Sequence, residues 1–306
     1  MDIIKQFKAL SDPTRMRLLN ILNRFELNVN EIVSIVDMIQ SGVSRHLKIL
    51  LEAGLLKSRK DGSFIYYSAN GTEATRELIH LACTQVSDDP LYVQDLNRAE
   101  QSLTLRKNRT KRFFRTVAPQ WDRLKKEVLG EFNLNDRIKA RISPGNCIAD
   151  LGCGTGELLH SLMDIDAKSF IGVDASPEML EQARVKLPDI SSLELRLGEV
   201  ENLPMRDQEV DLAVMSMVLY HLVEPERSFQ EIFRVLKPGG RFILADFLSH
   251  NMEEIKEVIG GAWLGFSPNQ INDWGRANGM NVTDSEIFPV ENGLTISLYS
   301  LIKEKR

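Results

Sequence analysis

Three glycines alternate in DLGCGTG, from Asp150 to Gly156, at the end of the strand-like segment 148–151. Glycine tolerates the left-handed and close-approach conformations such a string demands, so the segment reads as a buried strand, a tight loop and a helix. A GxGxG string alone fits several nucleotide binders. Its surroundings narrow the choice. Asp150 stands at the end of the first strand, and a second, SFIGVDAS, ends in Asp174 about twenty residues after the loop, where a carboxylate can accept both ribose hydroxyls. A third strand, ELRLGEVENLP, ends near Glu199, and a fourth, VDLAVMSMVLYHL, near Ser216; RVLKPGGRFILADF supplies a helix, a PGG turn and a fifth strand. Strands alternating with helices predict an open parallel sheet with its ligand at the strands' C-terminal ends.

The first seventy residues carry a different pattern. In LSDPTRMRLLNIL, Ser11 or Asp12 is placed to cap a helix whose first turn holds Pro13. Apolar residues Met16, Leu18, Leu19, Ile21 and Leu22 follow, and the pattern resumes at Ile32, Val33, Ile35, Val36 and Ile39. SGVSRHLKILLEAGLL reads as a further helix, capped by Ser41 and stopped at Gly54, with Val43, Leu47, Leu50 and Leu51 inward. Its outward side and start present Gln40, Ser41, Ser44, Arg45, His46 and Lys48, which suit phosphate contacts and guanine readout in a major groove. KSRKDGSFIYYS then predicts a hairpin turning at Asp61 and Gly62, a wing with Arg59 and Lys60 near its tip.

Charge agrees with this division. Residues 1–115 hold 18 Lys and Arg against 13 Asp and Glu, net +5, whereas residues 116–306 hold 20 against 30, net −10. The basic half is the one that phosphate contacts would need. Within it, RKNRTKRFFR, residues 106–115, has no acid; the alternatives are an extended phosphate footprint and a solvated connector, of which the connector is the simpler.

ALSDPTRMRLLNIL, SGVSRHLKILLEAGLL and the wing together resemble the arsenic-repressor (ArsR) family of dimeric winged-helix regulators, over roughly the first 85 residues. The resemblance implies binding to double-stranded operator DNA and a homodimer built on a helix near 73–86. Metal sensors of that family carry ELCVCDL where this chain has ELNVNEI, with Asn28 and Asn30 in place of thiolates. Asparagine does not replace a thiolate toward a soft metal. No metal is therefore expected at this site.

The C-terminal segments resemble class I S-adenosylmethionine-dependent methyltransferases, most specifically in LKPGG and MVLYHL, over residues 113–306. The resemblance implies S-adenosylmethionine or S-adenosylhomocysteine as ligand. It places Gly152, Cys153, Gly154, Thr155 and Gly156 around the amino-acid portion, Asp174 on the ribose, Glu199 and Val200 beside adenine, and Met215, Ser216 and His221 along the pocket floor, and it counts Asp150, Ala175 and Met179 among the ligand-binding residues. The family more often has Asp at position 199. A dinucleotide-binding Rossmann domain is the competitor, but its usual GxGxxG is not the string present. Cys153 has no base paired with it in the sequence and reads as a small packing residue. His221 is the one catalytic candidate, a base; a structural histidine or an adenine-edge contact are its alternatives.

The expected fold class is thus two domains, a mainly α winged helix-turn-helix followed by an α/β Rossmann-like class I methyltransferase sheet. The expected boundaries are 1–85 for the DNA-binding domain, 86–132 for a helical connector and 133–306 for the methyltransferase-like domain. No apolar stretch reaches the roughly 18 residues of a membrane helix, the N-terminus lacks the pattern of a signal peptide, and three cysteines without CxxC spacing read as reduced thiols. A cytoplasmic protein without membrane contact is the expectation. The functional expectation is a regulator whose methyltransferase fold senses the nucleoside, with an active methyltransferase of unknown acceptor as the alternative.

Overall fold

A computed structural model describes residues 3–305. The chain divides into two compact units, Met1–Arg106 and Lys107–Arg306.

The first unit begins with α1 (Ile3–Leu10) and α2 (Pro13–Leu22). Asp12 caps α2 by accepting the Arg15 N–H at 3.0 Å, and Leu18, Leu19, Ile21 and Leu22 are all buried, so α2 is a central helix rather than one with a single apolar face. A short strand, β1 (Leu27–Asn28), leads into α3 (Val29–Val36). The Asn28 side chain accepts the Glu31 N–H and Glu31 accepts the Asn28 N–H, a capping box. At a position where metal sensors keep a thiolate, this chain has a helix cap.

Helix α4 spans Gln40–Glu52. It starts one residue before the expected cap: Ile39 holds the N-cap position without a side-chain bond, Ser41 lies inside the first turn, and Ile39 is 76% exposed rather than part of the apolar face. Val43, Leu47 and Leu50 are buried as expected, and the helix ends before Gly54. The hairpin pairs β2 (Leu56–Asp61) with β3 (Phe64–Ala69), and Asp61 lies opposite Phe64. The turn is therefore Gly62–Ser63, one residue later than Asp61–Gly62, with positive φ at Gly62 alone, as a type II′ turn requires. Helices α5 (Glu73–Thr84) and α6 (Pro90–Val117) follow, and the division between units falls within α6. In the first unit α6 is pinned by polar contacts: Arg17 grips the buried Asp95 at 2.6 and 2.8 Å, and Arg98 donates to the Ile35 carbonyl at 3.0 Å.

The second unit is a seven-stranded sheet in the order β6-β5-β4-β7-β8-β10-β9. Its strands are β4 (Cys147–Leu151), β5 (Ser169–Asp174), β6 (Leu193–Leu197), β7 (Val210–Ser216), β8 (Leu236–Phe247), β9 (Met280–Pro289) and β10 (Thr295–Lys303). The five strands read from the sequence are parallel; β10 runs antiparallel to both β8 and β9, so the sheet is mixed at one edge. Helices α7 (Trp121–Leu129), α8 (Leu134–Lys139), α9 (Glu157–Leu162), α10 (Pro177–Lys186), α11 (Pro225–Val235), α12 (Glu253–Val258) and α13 (Pro268–Ala277) complete the unit. α11 passes straight into β8, and the PGG segment is a register slip against β7 between Val210 and Leu212 rather than a separate turn. Strands β4 and β7 bury nearly every side chain, the pattern of parallel strands covered on both faces. Their C-terminal ends, at Leu151 and Ser216, open on one side of the sheet next to that of β5.

Candidate functional site

A concave pocket lies over the C-terminal ends of β4, β5 and β7, where a doubly wound sheet leaves a crevice. It encloses roughly 980 Å³ of empty space counting its open mouth. Asp150, Gly152, Cys153, Gly154, Thr155, Asp174, Ala175, Met179, Glu199, Val200, Ser216 and His221 all line it.

Its floor is set by the glycine loop. Gly152 has φ +79°, and a Cβ there would lie 2.5 Å from the Val218 side chain, so the turn out of β4 closes only around glycine. The loop is fastened to the next strand: the Gly154 N–H donates to Asp174 Oδ2 at 2.8 Å and the Ser176 N–H to Oδ1 at 2.9 Å. Burial raises the Asp174 pKa and these backbone donors oppose the rise. Gly156 and Met215 do not line the pocket. Gly156 packs on Leu187 and Ala183, where its Cβ would come within 2.8 and 3.2 Å, and Met215 points to the opposite face of β7 from Ser216 by strand alternation. Cys153 is buried with its thiol pushed well up by burial and by Asp150, a protonated packing group.

Asp150 is 2% exposed, and its Oδ2 has no hydrogen-bond partner in the protein. Burial first, and the Asp174 charge second, push its pKa up to about 7. Asp246, buried on β8 and accepting the Tyr220 N–H, is likewise raised to about 7 by burial. A carboxyl raised on folding binds protons that the unfolded chain, titrating near about 3.9, has already released. Stability therefore falls as pH rises from about 4 to 7, by about 1.4 kcal/mol per pH unit for each such group. Asp150→Asn should remove one group's share of that slope in ligand-free protein. Urea unfolding at pH 5 and 8 checks this by tryptophan fluorescence, since Trp121, Trp263 and Trp274 all lie in the second unit. Equal slopes for wild type and variant would contradict the buried, partnerless reading of Asp150.

His221 sits in a 3₁₀ turn after β7, 5% exposed, with ring centroids of Tyr220 at 3.8 Å, Phe114 at 4.7 Å and Trp121 at 5.8 Å. Its Nδ1 lies 3.2 Å from the Gly260 carbonyl and so carries the proton; Nε2 has no protein partner. Burial lowers its pKa to about 3. In the ligand-free site its Nε2 is thus placed as a neutral hydrogen-bond acceptor at the pocket wall, which fits the adenine-edge alternative better than a base.

One wall went unread in the sequence. The end of α6 and the start of α7 bring Thr110, Lys111, Phe114, Trp121 and Lys125 to the pocket, and Phe113, Phe114, Val117 and Leu124 pack on a cluster of Ala118, Trp121 and Met179. The basic run is thus neither a plain phosphate tract nor a solvated connector. Asp122 accepts from the Thr155 hydroxyl at 2.6 Å and pairs with Lys186, which also reaches Thr155 at 3.0 Å, tying α7 to the glycine loop. Two aromatic residues within four positions of four basic ones were the available signal, an apolar face on a charged helix. Glu199 differs from expectation as well: Lys111 donates to its Oε1 at 2.6 Å and Lys107 to its Oε2 at 3.5 Å, and these cations lower its pKa. Glu201, also absent from the sequence reading, lines the pocket beside it, buried and with a raised pKa.

In the first unit, Gln40, Ser41, Ser44, Arg45 and Lys48 are exposed along one side of α4 and Lys60 is exposed on β2. His46 and Arg59 stand apart from that set. His46 Nδ1 lies 3.7 Å from Asp12, partly buried, and Arg59 is held by Glu26 at 3.0 Å and Asp61 at 3.7 Å beside the Tyr66 ring. Arg59 fastens the hairpin to the body, while Lys60 beside it stays exposed.

Residues 12–58 match the model of bacterial regulatory proteins of the arsR family, and residues 149–244 that of the methyltransferase domain. Among curated proteins the chain is similar to an uncharacterized 37.1 kDa protein in a transposon of Streptomyces fradiae, 39% identical over 36% of this chain and 32% of that one. It is 35% identical to an arsenite methyltransferase of Halobacterium salinarum over 37% of this chain and 30% of the relative. A demethylmenaquinone methyltransferase of Desulfitobacterium hafniense is 34% identical over 50% and 63% respectively. The chain thus spans about a third of the first two relatives and under two thirds of the third. Among solved structures, the complex between the Haloferax volcanii Trm112 methyltransferase activator and a methyltransferase aligns at a TM-score of 0.51 and 23% identity, over 56% of this chain and 88% of that one, a likeness of fold.

Proposed function

We propose that this chain, in which an arsR-type regulatory segment is joined to a methyltransferase domain, is a homodimeric transcriptional regulator that binds operator DNA and takes S-adenosylmethionine or S-adenosylhomocysteine as its effector. One observation carries the reading: an exposed hydroxyl, guanidinium and lysine face on α4 and a pocket built on a glycine loop and two strand-end carboxylates occur on the same chain. The boundaries proposed for the working parts are 1–85, 86–132 and 133–306.

The pocket's chemistry fits the ligand. Asp150, with an oxygen lacking a partner, suits an ammonium group, which would favour its charged form. Asp174 keeps lone pairs for two hydroxyls beyond its bonds to Gly154 and Ser176. The glycine cradle at 152 admits close backbone approach. S-Adenosylmethionine, when bound, supplies an electrophilic methyl group on sulfur. The residues around it bind, orient and exclude water through Phe114 and Trp121, and His221 Nε2 offers an acceptor to a bound N–H or O–H without the strength to take its proton.

The alternative, an active methyltransferase with a DNA-binding domain, is supported by the named activities of the relatives. The arsenite activity named for one of them finds no support in the thiols: Cys153 is buried with its thiol pushed well up, Cys147 opens β4 at the end away from the pocket, Cys83 is in the other unit and raised to about 11, and among the described residues no group of three His, Cys, Asp or Glu is placed to hold a metal. Among the described residues no helix is long and apolar enough to cross a membrane; a cytoplasmic location is part of the proposal. The test is recovery of a specific duplex from a random pool by the full chain, with and without S-adenosylhomocysteine. The regulator reading expects a preferred sequence whose affinity changes with the nucleoside; sequence-independent binding contradicts it.

A further inference from the structure

The pocket runs along the sheet edge from the glycine loop after β4, past Asp174 at the end of β5, to Glu199 and Glu201 after β6. A nucleoside whose ribose sits on Asp174 and whose polar tail follows the glycine loop has its base at the β6 end, against Glu199. Both Glu199 oxygens already face an ammonium: Lys111 at 2.6 Å on one, Lys107 at 3.5 Å on the other. These lysines are on α6, the helix within which the chain's two units divide.

Resting on the nucleoside reading above, we propose that Lys111 is a latch on Glu199 that the base's exocyclic amino group displaces, so that occupancy of the pocket is reported as release of the C-terminal end of α6.

The two lysines are not equivalent. Lys107 is a quarter exposed and lies within 4 Å of three carboxylates, those of Glu199, Glu201 and Glu224, so it keeps partners if Glu199 turns away. Lys111 is half exposed, and water receives its ammonium when it leaves. Surface ion pairs of this sort are weak, whereas a donor held by a bound ligand against a carboxylate inside the pocket is charge-assisted and shielded. An amino group is the right competitor, because it donates into the oxygen that Lys111 occupies. A base with a carbonyl at that position accepts from the Lys111 ammonium instead of competing with it, and leaves the latch closed.

The probes are S-adenosylhomocysteine and S-inosylhomocysteine, which differ at that base position, measured by calorimetry on the full chain and on Lys111→Met. The variant should bind S-adenosylhomocysteine about two- to fivefold more tightly, the factor expected from deleting one exposed ion pair that binding must break. Affinity for the inosyl compound should not rise in the variant, since its carbonyl does not open the latch and loses the Lys111 donor. Amide hydrogen exchange over residues 107–117 should accelerate in wild type on adding S-adenosylhomocysteine and should already be fast in the variant. Weaker binding of S-adenosylhomocysteine by a folded Lys111→Met overturns the latch and makes Lys111 a supporting contact. Slower exchange over 107–117 on binding overturns it too. Absence of any S-adenosylhomocysteine binding by wild type removes the nucleoside reading itself, and the latch with it.

Discussion

Asp174→Ala is expected to weaken S-adenosylmethionine and S-adenosylhomocysteine binding by at least about tenfold, the value of roughly 1.5 to 3 kcal/mol for hydrogen bonds to a charged group. The loss has two sources. A ribose diol would face no acceptor at the end of β5, and the glycine loop would lose the anchor that holds Gly154 N–H at 2.8 Å. Because the Ser176 and Gly154 donors also lose their acceptor, the variant should be less stable by about 1 to 3 kcal/mol, so calorimetry is paired with a melt to confirm folding. Unchanged nucleoside affinity in a folded variant would contradict the placement of ribose on Asp174.

Arg45→Ala on the exposed side of α4 should reduce discrimination between preferred and random duplex by about 1 to 3 kcal/mol, because a bidentate guanidinium reads a base edge. Lys60→Ala should behave differently, weakening all duplexes alike and lowering the salt slope by about one. Titrations of both variants at three salt concentrations separate the roles. Equal loss on specific and random duplex for Arg45→Ala would remove it from base readout.

What could be read in the sequence was what is local. The glycine loop, the carboxylates closing β4 and β5, the Asp12 cap and the inward Val43, Leu47 and Leu50 all follow from spacing over a few residues. The failures share a cause in tertiary contact. Nothing in RKNRTKRFFR tells that Phe114 meets His221 or that Lys111 meets Glu199, over a hundred and nearly ninety residues away in sequence. For His221 the string leaves base, structural and adenine-edge roles open, because its burial against Phe114 and Trp121, which lowers its pKa, comes from residues distant in sequence. Arg59 beside Lys60 reads as a second basic tip residue; only the fold brings Glu26 to it. The β9–β10 hairpin was missed for a different reason. Met280–Pro289 is mostly exposed at the sheet edge, with its apolar residues split between both faces and no clean alternation, and its partner's nearly continuous burial is that of an inner strand.

The central claim is that pocket and DNA face are linked on one chain, and reciprocal binding measures it directly. S-Adenosylmethionine and S-adenosylhomocysteine are titrated by calorimetry into the full chain, alone and saturated with its selected duplex. If the nucleoside is the effector, DNA must shift its affinity by the same factor by which the nucleoside shifts DNA affinity, between about 5 and 150. Nucleoside affinities identical with and without DNA, for both ligands, would contradict the regulator and leave the methyltransferase reading in its place.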